Sequence, residues 1–88
     1  MTARVRIRVK LYATLKRFAP PGVGLGEAFT LELEEGTIGE AIRRLGIPDD
    51  DVSIVMVNGV QVRDRNHVLN GGDLLVMFPP IGGGAGAY

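Results

Sequence analysis

Residues 4 to 11, RVRIRVKL, alternate without a break: Val5, Ile7, Val9 and Leu11 on one side, Arg4, Arg6, Arg8 and Lys10 on the other. A period of two built on β-branched residues predicts a strand with one buried face and one face that is wet or turned to a partner. In the next stretch, Leu11, Leu15 and Phe18 follow at spacings of four and three with Ala19 beside them, which predicts a short helix lying on the core. Pro20-Pro21-Gly22 ends it, and Gly22, Gly24 and Gly26 make a loose connection. EAFTLELE, residues 27 to 34, alternates again with Phe29, Leu31 and Leu33 inward, and a hairpin back onto the first strand is the simplest pairing.

TIGEAIRRLG holds the clearest helix start. Thr37 can cap the first backbone N–H groups, and Glu40 three residues on completes a capping box. Ile38, Ala41, Ile42 and Leu45 form the apolar stripe; Gly46 suits a left-handed C-terminal position and Pro48 blocks continuation. VSIVMV, residues 52 to 57, is apolar almost throughout and reads as a strand buried on both faces or covered by a partner. Asn58-Gly59 is a tight-turn dipeptide and VQVR a short return strand. Residues 64 to 72 form an irregular loop anchored by Val68 and Leu69, and DLLVMF, residues 73 to 78, is the last strand. Strands before and after one main helix predict an α+β domain: a mixed sheet packed on that helix, with a short extra helix after the first strand.

Composition narrows the functional classes. A chain of 88 residues holds one domain, and 45% hydrophobic residues are enough for a globular core. No cysteine is present, which removes disulfides, a cysteine nucleophile and thiolate metal sites. Ten basic against ten acidic residues give a formal net charge of zero, which argues against a dedicated nucleic-acid binder. No stretch approaches the ~20 apolar residues of a membrane span. The N-terminal MTARVRIRVKLYATL lacks the separate hydrophobic core and cleavage site of a signal peptide, so the expected compartment is the cytoplasm.

Single features point to little chemistry. The Arg4, Arg6, Arg8, Lys10 stripe reads as a solvated strand face, with Glu32 and Glu34 as acidic neighbours across the hairpin. His67, the one histidine, stands in a polar loop without a companion ligand. Asp49-Asp50-Asp51 matches no calcium-loop spacing and reads as a polar turn before a strand. The apolar excess of the last strands is more telling. Val55 and Val57 alternate with Ile54 and Met56, and Leu75 and Met77 with Val76 and Phe78. One set faces the helix; Ile54, Met56, Val76 and Phe78 would then lie on the open face as a docking patch.

The element order resembles the ubiquitin-like β-grasp fold, and three motifs sharpen the resemblance. LYATLKRFAP resembles the segment after the first strand in the small subunit of molybdopterin synthase. VMVNGVQV with LNGGDLLVMFPP resembles the strand-turn and "GD…PP" pattern of the sulfur-carrier family that includes the thiamine sulfur carrier. FPPIGGG resembles that family's C-terminal signature, which ends in Gly-Gly. The resemblance covers nearly the whole chain and implies a sulfur carrier that is not an enzyme by itself. It implies residues 1 to 80 as the β-grasp domain and 81 to 88 as a flexible glycine-rich tail. A ubiquitin-activating-type enzyme would adenylate the terminal glycine with ATP, and sulfur would replace AMP to leave a thiocarboxylate. A sulfur-accepting enzyme, such as the large subunit of molybdopterin synthase, would then take the sulfur. No bound cofactor, metal, nucleic acid or membrane is implied. Alignment with the family ending puts the Gly-Gly pair on Gly83 and Gly84, with Gly84 carrying the sulfur and Pro79, Pro80, Ile81 and Gly82 entering the partners.

A side-chain-free arm suits that task, because it passes a narrow channel and its backbone can approach a nucleotide closely. Pro79 and Pro80 stiffen the exit from the last strand. One departure stands out: Ala85, Gly86, Ala87 and Tyr88 follow Gly84. With them in place Gly84 ends in an amide, and nothing can be adenylated there. Either a protease removes these residues or the protein acts as an uncleaved binding module. Two rivals share the pattern: a carrier that serves thiazole, a sulfur metabolite or transfer RNA, and a ubiquitin-like module that joins Gly84 to a lysine of a target protein.

Overall fold

The computed structural model describes residues 4–80. Five strands and one α-helix follow in the order β1 (Val5–Leu11), β2 (Phe29–Leu33), α1 (Ile38–Leu45), β3 (Ile54–Val57), β4 (Val60–Gln61) and β5 (Leu74–Phe78). Two 3₁₀ helices, Ala13–Phe18 and Asp49–Asp51, lie between them. The strands form one sheet in the order β2-β1-β5-β3-β4. Only the central β1–β5 pair is parallel; β1–β2, β3–β5 and β3–β4 are antiparallel. This is the α+β arrangement, a mixed sheet on one main helix, that the hydrophobic pattern predicts.

The alternation sets the faces. In β1, Ile7, Val9 and Leu11 are buried; the same face takes Val55 and Val57 from β3 and Leu75 and Met77 from β5. Ile38, Ala41 and Ile42 of α1 close this core from above, with Leu15 of the first 3₁₀ helix, Leu33, Ile47, Val52 and Leu69 around them. The β3 pattern is one-sided: Ile54 and Met56 are half-buried, so the strand is covered on its helix side and not on both.

Several boundaries tighten. The second strand is Phe29–Leu33 within the expected 27 to 34, and the VQVR return shortens to Val60–Gln61. The 27–34 segment has no second neighbour, since β2 is the outer strand, and pairing stops where the chain turns toward α1. The helix after β1 is 3₁₀, entered through Ala13 at φ +54°, and it packs against the central strands β1 and β5 with Leu15 buried. Leu69 anchors the 64–72 loop, whereas Val68 is 60% exposed. A bridge between Thr37 and Val68 sets these two neighbours on opposite sides of an extended strand, so only one of them can face the core.

Helix α1 corrects the capping-box expectation. Thr37 does cap, its hydroxyl accepting the Glu40 N–H at 3.1 Å. The Glu40 carboxylate does not return to the Thr37 N–H. It turns under the chain entering the helix and accepts the N–H groups of Glu34 (2.7 Å), Glu35 (2.7 Å) and Gly36 (2.9 Å), and the Arg44 guanidinium closes the fourth contact at 2.7 Å. The first helical N–H groups are taken by the 64–69 loop: Ile38 donates to the His67 carbonyl and Gly39 to the Arg65 carbonyl. At the other end Gly46, at φ +76°, donates back to Arg43 and Ile42 and terminates the helix.

Candidate functional site

The face opposite α1 is built by the register. Met56 pairs with Val76 and Ile54 with Phe78 across β3–β5. Lys10 pairs with Val76 and Arg8 with Leu74 across β1–β5, and Gln61 lies opposite Met56 on β4. Ile54, Met56, Val76 and Phe78 thus share one side of the sheet, each half-buried by its neighbours. Tyr12 joins them. It follows β1 directly, and its ring stacks on Phe78 with centroids 5.1 Å apart and planes 11° from parallel. The hydrophobic pattern does not single out Tyr12. What could have found it is the parallel pairing of first and last strands, which brings the residue after β1 beside the end of β5.

That pairing also fixes where the chain leaves the sheet. The Tyr12 N–H donates to the Met77 carbonyl at 3.3 Å, and the Ser53 N–H donates to the Phe78 carbonyl at 2.9 Å. The end of β5 is therefore held from both sides, immediately before Pro79 and Pro80. Pro79 is half-buried and Pro80 exposed, and with Ala13, Thr14, Arg17 and Asp51 they line a cleft of about 460 Å³. Ile81, Gly82, Gly83 and Gly84, the other residues assigned to the reactive arm, lie outside the described residues.

At the opposite end of β5 the turn chemistry becomes a clamp. Asn58, in the left-handed region at φ +51°, donates its amide to the Asp73 carboxylate at 2.9 Å and accepts the Leu74 N–H at 2.9 Å. Asp73 also accepts the Asn70 N–H at 2.8 Å, and this bond, with the Asn58 contact, holds its carboxyl below the usual range. The NG and GD dipeptides of the sequence thus belong to one structure: a lock that joins the β3–β4 turn to the start of β5. It lies in the lower part of the sheet and does not touch the patch or the exit.

The charged residues sort into paired and unpaired. Arg6 and Arg4 both donate to Glu32, at 2.7 Å and 3.4 Å, and these bonds, Arg6 first, lower the Glu32 carboxyl from its ordinary value. Glu34, expected on the same stripe, faces Arg44 at 3.7 Å instead, because the chain has already turned toward α1. Burial would raise the Glu40 carboxyl, but the three N–H donors and Arg44 outweigh it and bring it down to about 2 from 4.5. His67 uses its backbone to join the loop to α1 and Asp64, and Asp49–Asp51 form the 3₁₀ turn. Among the described residues no three metal-ligating side chains come together, and no helix is long and apolar enough to cross a membrane.

Comparison with known proteins fits this geometry. The family model described as "ThiS family" matches residues 9–84. No curated protein matches. Three solved structures share the fold. Small archaeal modifier protein 1 of Haloferax volcanii is 22% identical with TM-score 0.65, over 88% of this chain and 99% of that one. A putative molybdopterin converting factor subunit 1 from Pyrococcus furiosus is 25% identical with TM-score 0.63, over 88% and 99%. A chain in the complex of subunits 1 and 2 of molybdopterin-converting factor from Helicobacter pylori is 16% identical with TM-score 0.60, over 88% and 96%. The sheet order, the single main helix and a family match over most of the chain lead to one assignment: the chain has the ubiquitin-like β-grasp fold and belongs to the ThiS family of sulfur-carrier proteins.

Proposed function

We propose that this protein carries sulfur as a thiocarboxylate on Gly84 and gives it up in cofactor biosynthesis, with molybdopterin as the product served. The observation that carries the reading is the extent of the family match, which runs through the Gly-Gly pair and stops at Gly84. Residues 85 to 88 lie beyond it, in keeping with a segment that is removed before activation. A free Gly84 carboxylate is a poor electrophile. Its oxygen attacks the α-phosphate of ATP in an adenylating enzyme, pyrophosphate leaves, and a sulfur nucleophile then displaces AMP to give the thiocarboxylate. The domain's share is to dock and to aim. Ile54, Met56, Val76 and Phe78 offer the apolar contact, and Pro79 and Pro80 follow directly on an anchored strand end.

The molybdopterin acceptor draws support from the fold shared with a chain of the Helicobacter pylori converting-factor complex, where subunit 1 is held by subunit 2. A second reading draws on the likeness to a small archaeal modifier protein: Gly84 joined to an amine of a target protein. Intact mass of the protein from its native host separates the two. Loss of residues 85 to 88 together with exchange of one oxygen for sulfur is the expected result. Loss of the same residues with attachment to larger proteins would favour the modifier, and a full-length, unmodified chain in growing cells would sink both.

A further inference from the structure

Cations are paired unevenly over this molecule. On the helix side and around the loops each arginine but one has a carboxylate partner, while Lys16 has none among the described residues. Arg43 faces Glu35, Arg44 faces Glu34 and Glu40, Arg17 faces Asp51 and Arg65 faces Asp49. On the open sheet face the stripe splits in half. Arg4 and Arg6 share the single carboxylate of Glu32, which offsets one of their two charges. Arg8 and Lys10, next along the same strand, have no ion pair among the described residues, though they stand in register with Leu74 and Val76 at the edge of the apolar patch. On the far side of the patch the exception, Arg63, also without an ion pair there, lines an open hollow of about 510 Å³ with Ile54 and Gln61. The apolar patch is therefore flanked on both sides by uncompensated positive charge, in a chain of zero net charge.

We propose that the open face is built for an acidic protein surface: a partner that covers Ile54, Met56, Val76 and Phe78 with apolar groups and sets carboxylates against Arg8 and Lys10, and against Arg63 on the other flank. Charges at the edge of an apolar contact govern encounter rate and choice of partner, and their effect is screened by salt. Arg4 and Arg6, already paired with Glu32, take little part. This inference rests on the docking role proposed above and specifies the chemistry of the partner.

The test uses the full chain and the ubiquitin-activating-type adenylating enzyme of the same host, with affinity measured at low and high salt. R8E/K10E should weaken binding by about tenfold or more at ~50 mM salt, and the deficit should shrink at ~500 mM. R4Q/R6Q should stay within about threefold of the unaltered chain at both salts. Thermal unfolding of each variant confirms that it is folded, which these positions allow, Arg4, Arg6 and Arg8 being exposed and Lys10 half-buried. Unchanged affinity for R8E/K10E, or an equal loss at both salt concentrations, would overturn the inference while the docking role survives if M56E still abolishes binding. Failure of the unaltered chain to bind the enzyme at all would overturn both. Tighter binding to duplex DNA or to phosphatidylserine vesicles than to the enzyme would also overturn it, by showing a phosphate-reading surface.

Discussion

The two faces of the sheet are made by alternate residues of the same strands, yet they solve opposite problems. On the helix side, Ile7, Val9, Leu75 and Met77 are fully buried and the one buried acid, Glu40, has its carboxylate filled by four donors. On the open side, Ile54, Met56, Val76 and Phe78 are only half-buried, and of the cation stripe beside them only Arg4 and Arg6 are ion-paired, with one shared carboxylate. A face that served stability alone would be either covered or polar. The difference shows where the chain holds itself together and where it keeps surface in reserve.

The contrast is broken most forcefully from the closed side. Leu75 is 0% exposed and sits in the middle of the central parallel pair, where Val9 on β1 and Val57 on β3 are its neighbours in register. Leu75→Ala removes a fully buried side chain and opens a cavity, so urea unfolding should show a loss of about 2–5 kcal/mol. Its neighbour in sequence, Val76, points the other way. Val76→Ala should cost far less, and equal costs would erase the distinction between the faces.

Glu40 sharpens the comparison through pH. Its carboxyl lies at about 2 in the folded protein, below the ordinary 4.5. A depressed value of this kind means that the folded state favours the ionised form. The stabilisation is fully present above about 4.5 and is lost as pH falls toward 2. Glu40→Gln turns an amide NH₂ toward N–H donors and leaves Arg44 with only its more distant partner, Glu34, for a loss of about 2 kcal/mol at neutral pH. Thermal unfolding of the two proteins from pH 7 down to pH 2 should show the gap narrowing across that acidic window. A gap independent of pH would mean that the carboxylate charge is not what the Glu34–Gly36 backbone needs.

How much of this was legible beforehand follows from the range over which each signal acts. Period-two alternation is local, so β1 and the two faces of β3 and β5 could be read directly from RVRIRVKL, IVMV and LLVMF. The Thr37 cap and the Gly46 stop are local too. The spacing from Thr37 marks Glu40 as an N-terminal helix residue, but its partners depend on how the 34–36 segment folds beneath the helix, which no spacing rule encodes. The role of Tyr12 is hidden for the same reason, since Phe78 is distant in sequence and adjacent only through the parallel β1–β5 pair. Asn58-Gly59 reads as a turn and Gly72-Asp73 as a family mark; that they form one lock emerges only in three dimensions. Of the candidate site, the four-residue patch can be placed from alternation alone, whereas the pairing of Arg4 and Arg6 but not Arg8 with Glu32 needs the register with β2.

The smallest expected effect on stability tests the open face most directly. Met56 lies at the centre of the patch, opposite Val76 on one side and Gln61 on the other, and its side chain is already partly in water. Met56→Glu places a carboxylate where no core contact needs to close, so urea unfolding should shift by no more than about 1 kcal/mol. If this face docks the adenylating enzyme, the same substitution buries an unpaired charge in the apolar centre of the contact, and binding should fall by about a hundredfold. A small change in stability with a large loss of binding is the signature of surface held in reserve. A stability loss as large as that of Leu75→Ala would instead make Met56 part of a second core, and the open face would then have to be counted as structural.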